Sequence, residues 1–194
     1  MAEIKSALEI ALEKADRLGK LSKEELEGQK WNERGKRIAA DYLSGKTDDI
    51  QQAMTEVPGQ FIQAALDGAS EVLLRNIILP NDELQWGSIK RAMEGLVAIK
   101  GSIAMQVMPQ MEQLLRNYQQ TIDHYKEQFQ QQLKGRMEAL KQMGQGGSAA
   151  MGAGMDPEEL SSLMQAQDEW NKLALEIRQQ FEQQLEPLKN YLRG

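Results

Sequence analysis

Apolar residues recur along this chain at steps of three and four, and no stretch alternates apolar and polar positions for long between turn signals. That period belongs to helices and argues against strands. Ile4, Ala7, Leu8, Ala11, Leu12, Ala15 and Leu18 form a first stripe, which Gly19 suits to end. "LSKEEL" then restarts the helix, with Ser22 as N-cap, Glu25 completing a capping box, and Leu21 and Leu26 as a hydrophobic staple. This second helix carries Trp31, Ile38, Ala39, Tyr42 and Leu43 before "SGKTDD" breaks it. Asp48 is placed to cap a short helix through about Met54, and Pro58 to open the next.

From Phe61 to Leu79 the apolar residues cover much of the helix surface, the pattern of a helix at the centre of a bundle. Pro80 is expected to end it, and Asp82 with Gln85 to cap its successor. In that successor Gly95, Ala98, Gly101 and Ala104 recur every third residue, which predicts a close packing seam. Pro109 marks either a kink or a fresh start. Beyond it Met111, Leu115, Tyr118, Ile122, Tyr125 and Phe129 alternate steps of four and three, the seam of a coiled coil. Leu133 and Met137 then add two steps of four, a stutter, before Leu140 and Met143. A helix of about 34 residues, roughly 50 Å long, is expected.

"MGQGGSAAMGAGMDP" interrupts the pattern, and its end supplies a helix start: Asp156 as N-cap, Pro157 at the first position and Glu159 at the third. The last seam runs through Leu160, Leu163, Trp170, Ala174, Ile177, Phe181, Leu188 and Tyr191, and Pro187 is placed to kink the final turns. Two long helices of similar length with a short link are expected to fold back antiparallel. That register sets Phe129 near Trp170, Ile122 near Ile177 and Tyr118 near Phe181. The expected architecture is all-α: a helical bundle over residues 1–108 and a long antiparallel coiled-coil-like hairpin over 109–194, with a weakly ordered Gly/Met-rich tip at 144–154.

Composition narrows the chemistry. The net charge of −6 is spread evenly and leaves no basic segment, so nucleic acid is not an expected partner. The chain has no cysteine, which removes disulfides, thiolate nucleophiles and Cys-bound metal. The apolar runs are too short or too charged to span a bilayer, and the start lacks a signal peptide's apolar core, so a cytoplasmic protein is expected. His124 is the single histidine, which rules out paired-histidine metal motifs; its phase puts it at the edge of the seam.

Two phosphate-loop look-alikes fail on context. "GQGGSA" fits the dinucleotide spacing at Gly144, Gly146 and Ala149, but a helix precedes it instead of the strand that the motif needs. "SGKT" at Ser44–Thr47 lacks the upstream glycine of a P-loop, since Ala40 stands there. Met143, Met151 and Met155 offer thioethers, yet no rigid element fixes a copper geometry. Their flexible side chains instead suit adaptable apolar contact. Lys30, Arg34 and Arg37 share one helix face, read first as a solvated face paired with Glu27 and Glu33 and second as a dock for an acidic partner. No cofactor or metal is implied, and no acid, base and nucleophile are assembled for catalysis.

"MAEIKSALEIALEKA", the helix ending "GKRIAADYLSG", and "EVLLRNIILP" resemble an uncharacterised bacterial family of small all-helical proteins, most clearly over the first 45 residues. The resemblance implies an intracellular helical protein of unknown activity and brings no catalytic residues. The leading expectation is a non-enzymatic interaction or scaffold protein, self-associating as a homodimer and meeting a protein partner of unknown identity. Its candidate contact residues are Met143, Met151, Met155, Trp170, Lys30, Arg34 and Arg37. The alternative is a chaperone-like or membrane-surface protein working through the Met-bearing tip, and the third reading is an enzyme of unknown type.

Overall fold

The structure is a computed structural model; it describes the backbone of residues 23–144 and 157–193, and side chains within 25–139 and 160–193. The first expected stripe, Ile4 to Leu18, and most of the Gly/Met-rich tip lie outside the described residues. Among those described, the fold is all-α, with six α-helices and no strand. They are α1 (Lys23–Leu43), α2 (Ile50–Met54), α3 (Ile62–Asn76), α4 (Trp86–Lys100), α5 (Ser102–Gly144) and α6 (Pro157–Arg193). Single 3-10 turns at Gly59–Phe61 and Glu83–Gln85 lead into α3 and α4.

The chain packs as two compact units. One holds residues 23–76 and Arg91–Gly101, with Arg193; the other holds Ile77–Lys90 and Ser102–Leu192.

In the first unit α1 crosses α3 at near-backbone contact. A methyl group at Gly35 would overlap the Ala65 carbonyl oxygen, and one at Gly68 would overlap that of Asn32. The two glycines thus face each other's helix reciprocally, and the Asn32 Nδ2 donates to the Ala64 carbonyl at 3.1 Å beside them. Around this crossing Ile38, Ala39, Ala65, Ala69, Leu73 and Leu74 are buried. Gly95 of α4 makes room for Tyr42 and Leu73, whose side-chain carbons would lie 2.9 and 3.0 Å from an added methyl.

After α1 the chain turns by a Schellman motif. Gly45 takes φ 76°, its N–H donates to the Tyr42 carbonyl at 3.0 Å, and Lys46 N–H donates to Asp41 at 2.9 Å. Arg91 ties this turn down. Its guanidinium lies 4.5 Å over the Tyr42 ring and donates to the Tyr42 carbonyl at 2.6 Å, the Thr47 carbonyl at 2.9 Å and Asp48 at 3.1 Å. Because Asp48 faces Arg91, the cap of α2 falls on the next residue: Asp49 accepts from Gln52 N–H at 3.0 Å, a shift from the expected Asp48.

α3 stops at Asn76, short of the expected Leu79. Pro80 disfavours helix at the residue before it, so residues 77–80 run on as non-helical chain, with Ile77, Leu79 and Pro80 buried in the second unit. Asp82 accepts from Gln85 N–H at 3.1 Å while the Gln85 side chain accepts from Asn81 N–H at 2.8 Å, a reciprocal cap at the expected residues. The Trp86 indole N–H donates to Gln119 Oε1, Gln119 donates to Glu83 at 3.0 Å, and Arg116 lies 5.0 Å over the Trp86 ring. These bonds fix the 77–90 segment to α5.

The stripe of small residues is not one continuous seam. Gly101 breaks the helix at φ 58°, in the left-handed region where a side chain is strained, and an added methyl there would meet nothing. α5 then runs unbroken through Pro109, which lies inside the helix and not at a boundary. Pro187 likewise lies inside α6. Both prolines are exposed, so water can reach the carbonyl that each leaves without a helical donor.

α5 has 43 residues and α6 has 37, so they extend about 64 and 55 Å at 1.5 Å per residue. Their contacts run antiparallel. Tyr118 meets Phe181 edge-on at 5.4 Å, and Phe129 meets Trp170 at 5.5 Å with a 38° tilt. Farther along, Arg136 pairs with Glu169 at 3.6 Å. Both ring pairs are those that the spacing predicts. On α6 the expected seam slips beyond Phe181: Leu185, Lys189 and Leu192 are buried, whereas Tyr191 and the early seam residue Leu160 are more than half exposed. The steps of four, four and three from Phe181 through Leu185 and Lys189 to Leu192 average close to the 3.6-residue turn and so keep one face, whereas the alternating pattern of Leu188 and Tyr191 gave the wrong phase.

Candidate functional site

Among the described residues, two open grooves carry chemistry available for contact. The first lies along α1 and has a volume of about 630 Å³; its lining includes Leu26, Lys30, Trp31, Glu33, Arg34 and Arg37. It brings together the three predicted basic residues, and only one of their expected partners is kept. Lys30 pairs with Glu27 at 2.6 Å, as the spacing suggests. Arg34 instead reaches Glu56 at 3.0 Å, and Arg37 meets no carboxylate among the described residues. Glu33 is held by Lys36 at 2.9 Å, and the same ammonium reaches Glu71 of α3 at 3.2 Å. Hydrogen bonds to those two carboxylates raise the Lys36 pKa above its ordinary value. Helix spacing alone could not reveal Lys36, because its second partner is 35 positions away.

The rim of this groove is therefore charged and its floor apolar. Trp31 is half-buried and stacks on Phe61 with ring centres 6.3 Å apart, while Leu26 is 46% exposed. The aliphatic stems of Lys30, Arg34 and Arg37 extend that apolar surface and leave their charged ends in water.

The second groove lies between α5 and α6, with a volume of about 640 Å³. Leu114, Asn117, Gln120, Thr121, His124, Tyr125, Phe181 and Gln184 form its lining, a set of aromatic and amide groups with no carboxylate, lysine or arginine. His124 is exposed and lies 2.9 Å from the Gln128 amide, with its ring against Tyr125. Tyr125 occupies an expected seam position yet is 40% exposed. Sequence periodicity missed this groove because it gives the phase of a seam but not how far the partner helix covers it.

Of the other predicted contact residues, Trp170 has a described side chain, and it lines neither groove. Trp170 is half-buried against Phe129. Met143 lies in the last turn of α5 with its side chain outside the described residues, and Met151 and Met155 are outside them altogether. Among the described residues no three histidine, aspartate or glutamate side chains gather as a metal site. No described helix is long and apolar enough to cross a membrane.

Residues 51–194 match a family of unknown function, DUF6657. The chain belongs to that family. The match includes "EVLLRNIILP" and the long glutamine-rich helices, whereas the first 45 residues, where the sequence resemblance is clearest, fall outside it. The DUF6657 region thus begins within α2 and carries the second groove entire, while the α1 groove lies before it. No curated protein and no solved structure matches the chain.

Proposed function

We propose that this DUF6657 protein is a non-enzymatic helical interaction protein, a cytoplasmic scaffold that associates with itself as a homodimer through the α5–α6 pair. One observation carries this reading: the outer part of the pair has a seam but almost no core. From Gln119 to Ala139 no side chain is buried, and from Leu160 to Glu176 only Ala166 is. Ile122, Phe129, Leu133, Met137, Leu163, Trp170 and Ala174 are all half-buried. Two helices bury one stripe each, and a second pair laid against them completes a four-helix layer.

The charge of the second groove favours a like partner. A two-fold interface sets a patch against itself, so every charge near the axis faces its own sign. The groove lining has no such charge on a chain whose net charge is −6. Its amides both donate and accept, and so are complementary to themselves.

Light scattering during size-exclusion chromatography tests the proposal, with Tyr125→Glu as the interface variant. Two glutamates facing across the axis should split the dimer while leaving the helix content unchanged. A wild-type protein of single-chain mass at every concentration would count against self-association.

A further inference from the structure

We infer that His124 makes self-association through the α5–α6 groove acid-sensitive: the pair forms with neutral imidazoles and comes apart when they take up protons. The inference rests on the self-association reading and adds its regulation. His124 is the chain's single histidine and lines the groove beside Tyr125, with the two ring centres 6.1 Å apart. Histidine is the side chain whose charge ordinarily changes between about pH 5 and 8. Its ring nitrogen Nε2 lies 2.9 Å from the Gln128 amide nitrogen. An amide nitrogen only donates, so this contact needs an unprotonated Nε2 to accept. A proton there removes the acceptor and sets N–H against N–H, and Gln128 must turn over to offer its oxygen.

Among the described residues, nothing in the groove lining balances the charge that the proton brings. Asp123, Lys126 and Glu127 neighbour His124 on α5 but line no part of the groove. From α6 come Phe181 and Gln184, neither of which titrates. Arg178 and Glu182 of α6, whose charges act on Tyr118, are joined to each other at 2.9 Å. Tyr125 is the lining's other titratable group, and a phenol carries no charge in this pH range. A second copy brings the same neutral lining, so a covered imidazolium loses water and gains no counter-charge. The two-fold arrangement doubles the effect, since each interface holds two such rings. In the single chain His124 is exposed, and water solvates its charge.

Sedimentation velocity on the full-length chain tests this, with circular dichroism checking that helix content is equal at both ends of the pH range. From about pH 8 to about pH 5.5 the dissociation constant should rise by roughly tenfold to a hundredfold, the upper figure being that of two rings protonated in the free chain alone. His124→Gln carries a neutral side chain at every pH, so its own constant should hold steady between the two conditions, whatever its value at the first. A wild-type dimer of unchanged affinity across the range, or a His124→Gln protein that loses affinity as steeply as wild type, would overturn the inference and leave self-association standing. A wild-type protein of single-chain mass already at about pH 8 would overturn self-association itself, and the inference with it.

Discussion

The crossing of α1 over α3 leaves no room for a methyl group, so Gly35→Ala and Gly68→Ala should be among the most damaging small substitutions in the first unit. At Gly35 the new carbon would overlap the Ala65 carbonyl oxygen and stand 2.7 Å from its carbonyl carbon. At Gly68 it would overlap the Asn32 oxygen and stand 2.9 Å from the carbon. Carbon atoms in ordinary contact stay about 3.5–4.0 Å apart, so the helices must part by roughly 1 Å. The obstacle is backbone, which cannot rotate away as a side chain would. Overpacking costs about 1–3 kcal/mol, and the upper end applies here. The alanine returns up to about 1 kcal/mol of helix propensity, leaving a net loss of about 2 kcal/mol for each variant. Against a typical slope of about 1–3 kcal/mol per molar urea, the midpoint should fall by about 1 M in urea denaturation followed by circular dichroism. Gly28→Ala is the control, since a methyl there meets nothing within 4 Å on the same helix. It should raise the midpoint. The double variant should lose less than the sum, because the first methyl already opens the gap that the second needs. A Gly68→Ala protein that unfolds at or above the wild-type midpoint would refute this account of the crossing.

Other consequences follow from single side chains. Arg91→Ala removes the donors to Tyr42, Thr47 and Asp48, and should lower stability by about 2 kcal/mol in the same assay. Asp48→Ala should lose under about 1 kcal/mol, because that carboxylate is 93% exposed; an equal loss would mean that the ion pair, not the carbonyl contacts, holds the turn. Trp86→Phe replaces the buried indole by a smaller phenyl ring and deletes the N–H to Gln119, for a loss of at least about 1 kcal/mol by thermal melting. The phenols of Tyr42 and Tyr118 are pushed above their ordinary value of about 10, chiefly by burial, and Lys36 above 10.5 by Glu33 and Glu71. All three favour the protonated form in the fold. Their contribution is complete below the unfolded values and is lost as pH rises through the folded ones, so urea midpoints should decline above about pH 10. Tyr42→Phe with Tyr118→Phe should flatten that decline; an unaltered alkaline limb would contradict the burial cause.

Local signals were legible in the sequence wherever one turn of helix sufficed to define them. The reciprocal cap of Asp82 and Gln85 depends on residues three or four apart. The pairing of Tyr118 with Phe181 and Phe129 with Trp170 needed only the helix period and a fold-back point. What stayed hidden depends on partners remote in sequence. Asp48 looks as good a cap as Asp49 until Arg91 engages it. The close approaches at Gly35 and Gly68 have no local mark, because the carbonyl that each admits belongs to a helix remote in sequence. Of the candidate site, the basic face of α1 was visible, but the Arg34–Glu56 and Lys36–Glu71 pairs and the neutral groove at Tyr125 arise from packing.

The central claim is self-association through that neutral groove, and the mass of the intact particle in solution tests it most directly. Light scattering on the wild-type chain should give twice 21.9 kDa, and on Tyr125→Glu at equal helix content it should give 21.9 kDa. A mass of 21.9 kDa for both proteins, or of twice that for both, would contradict the account.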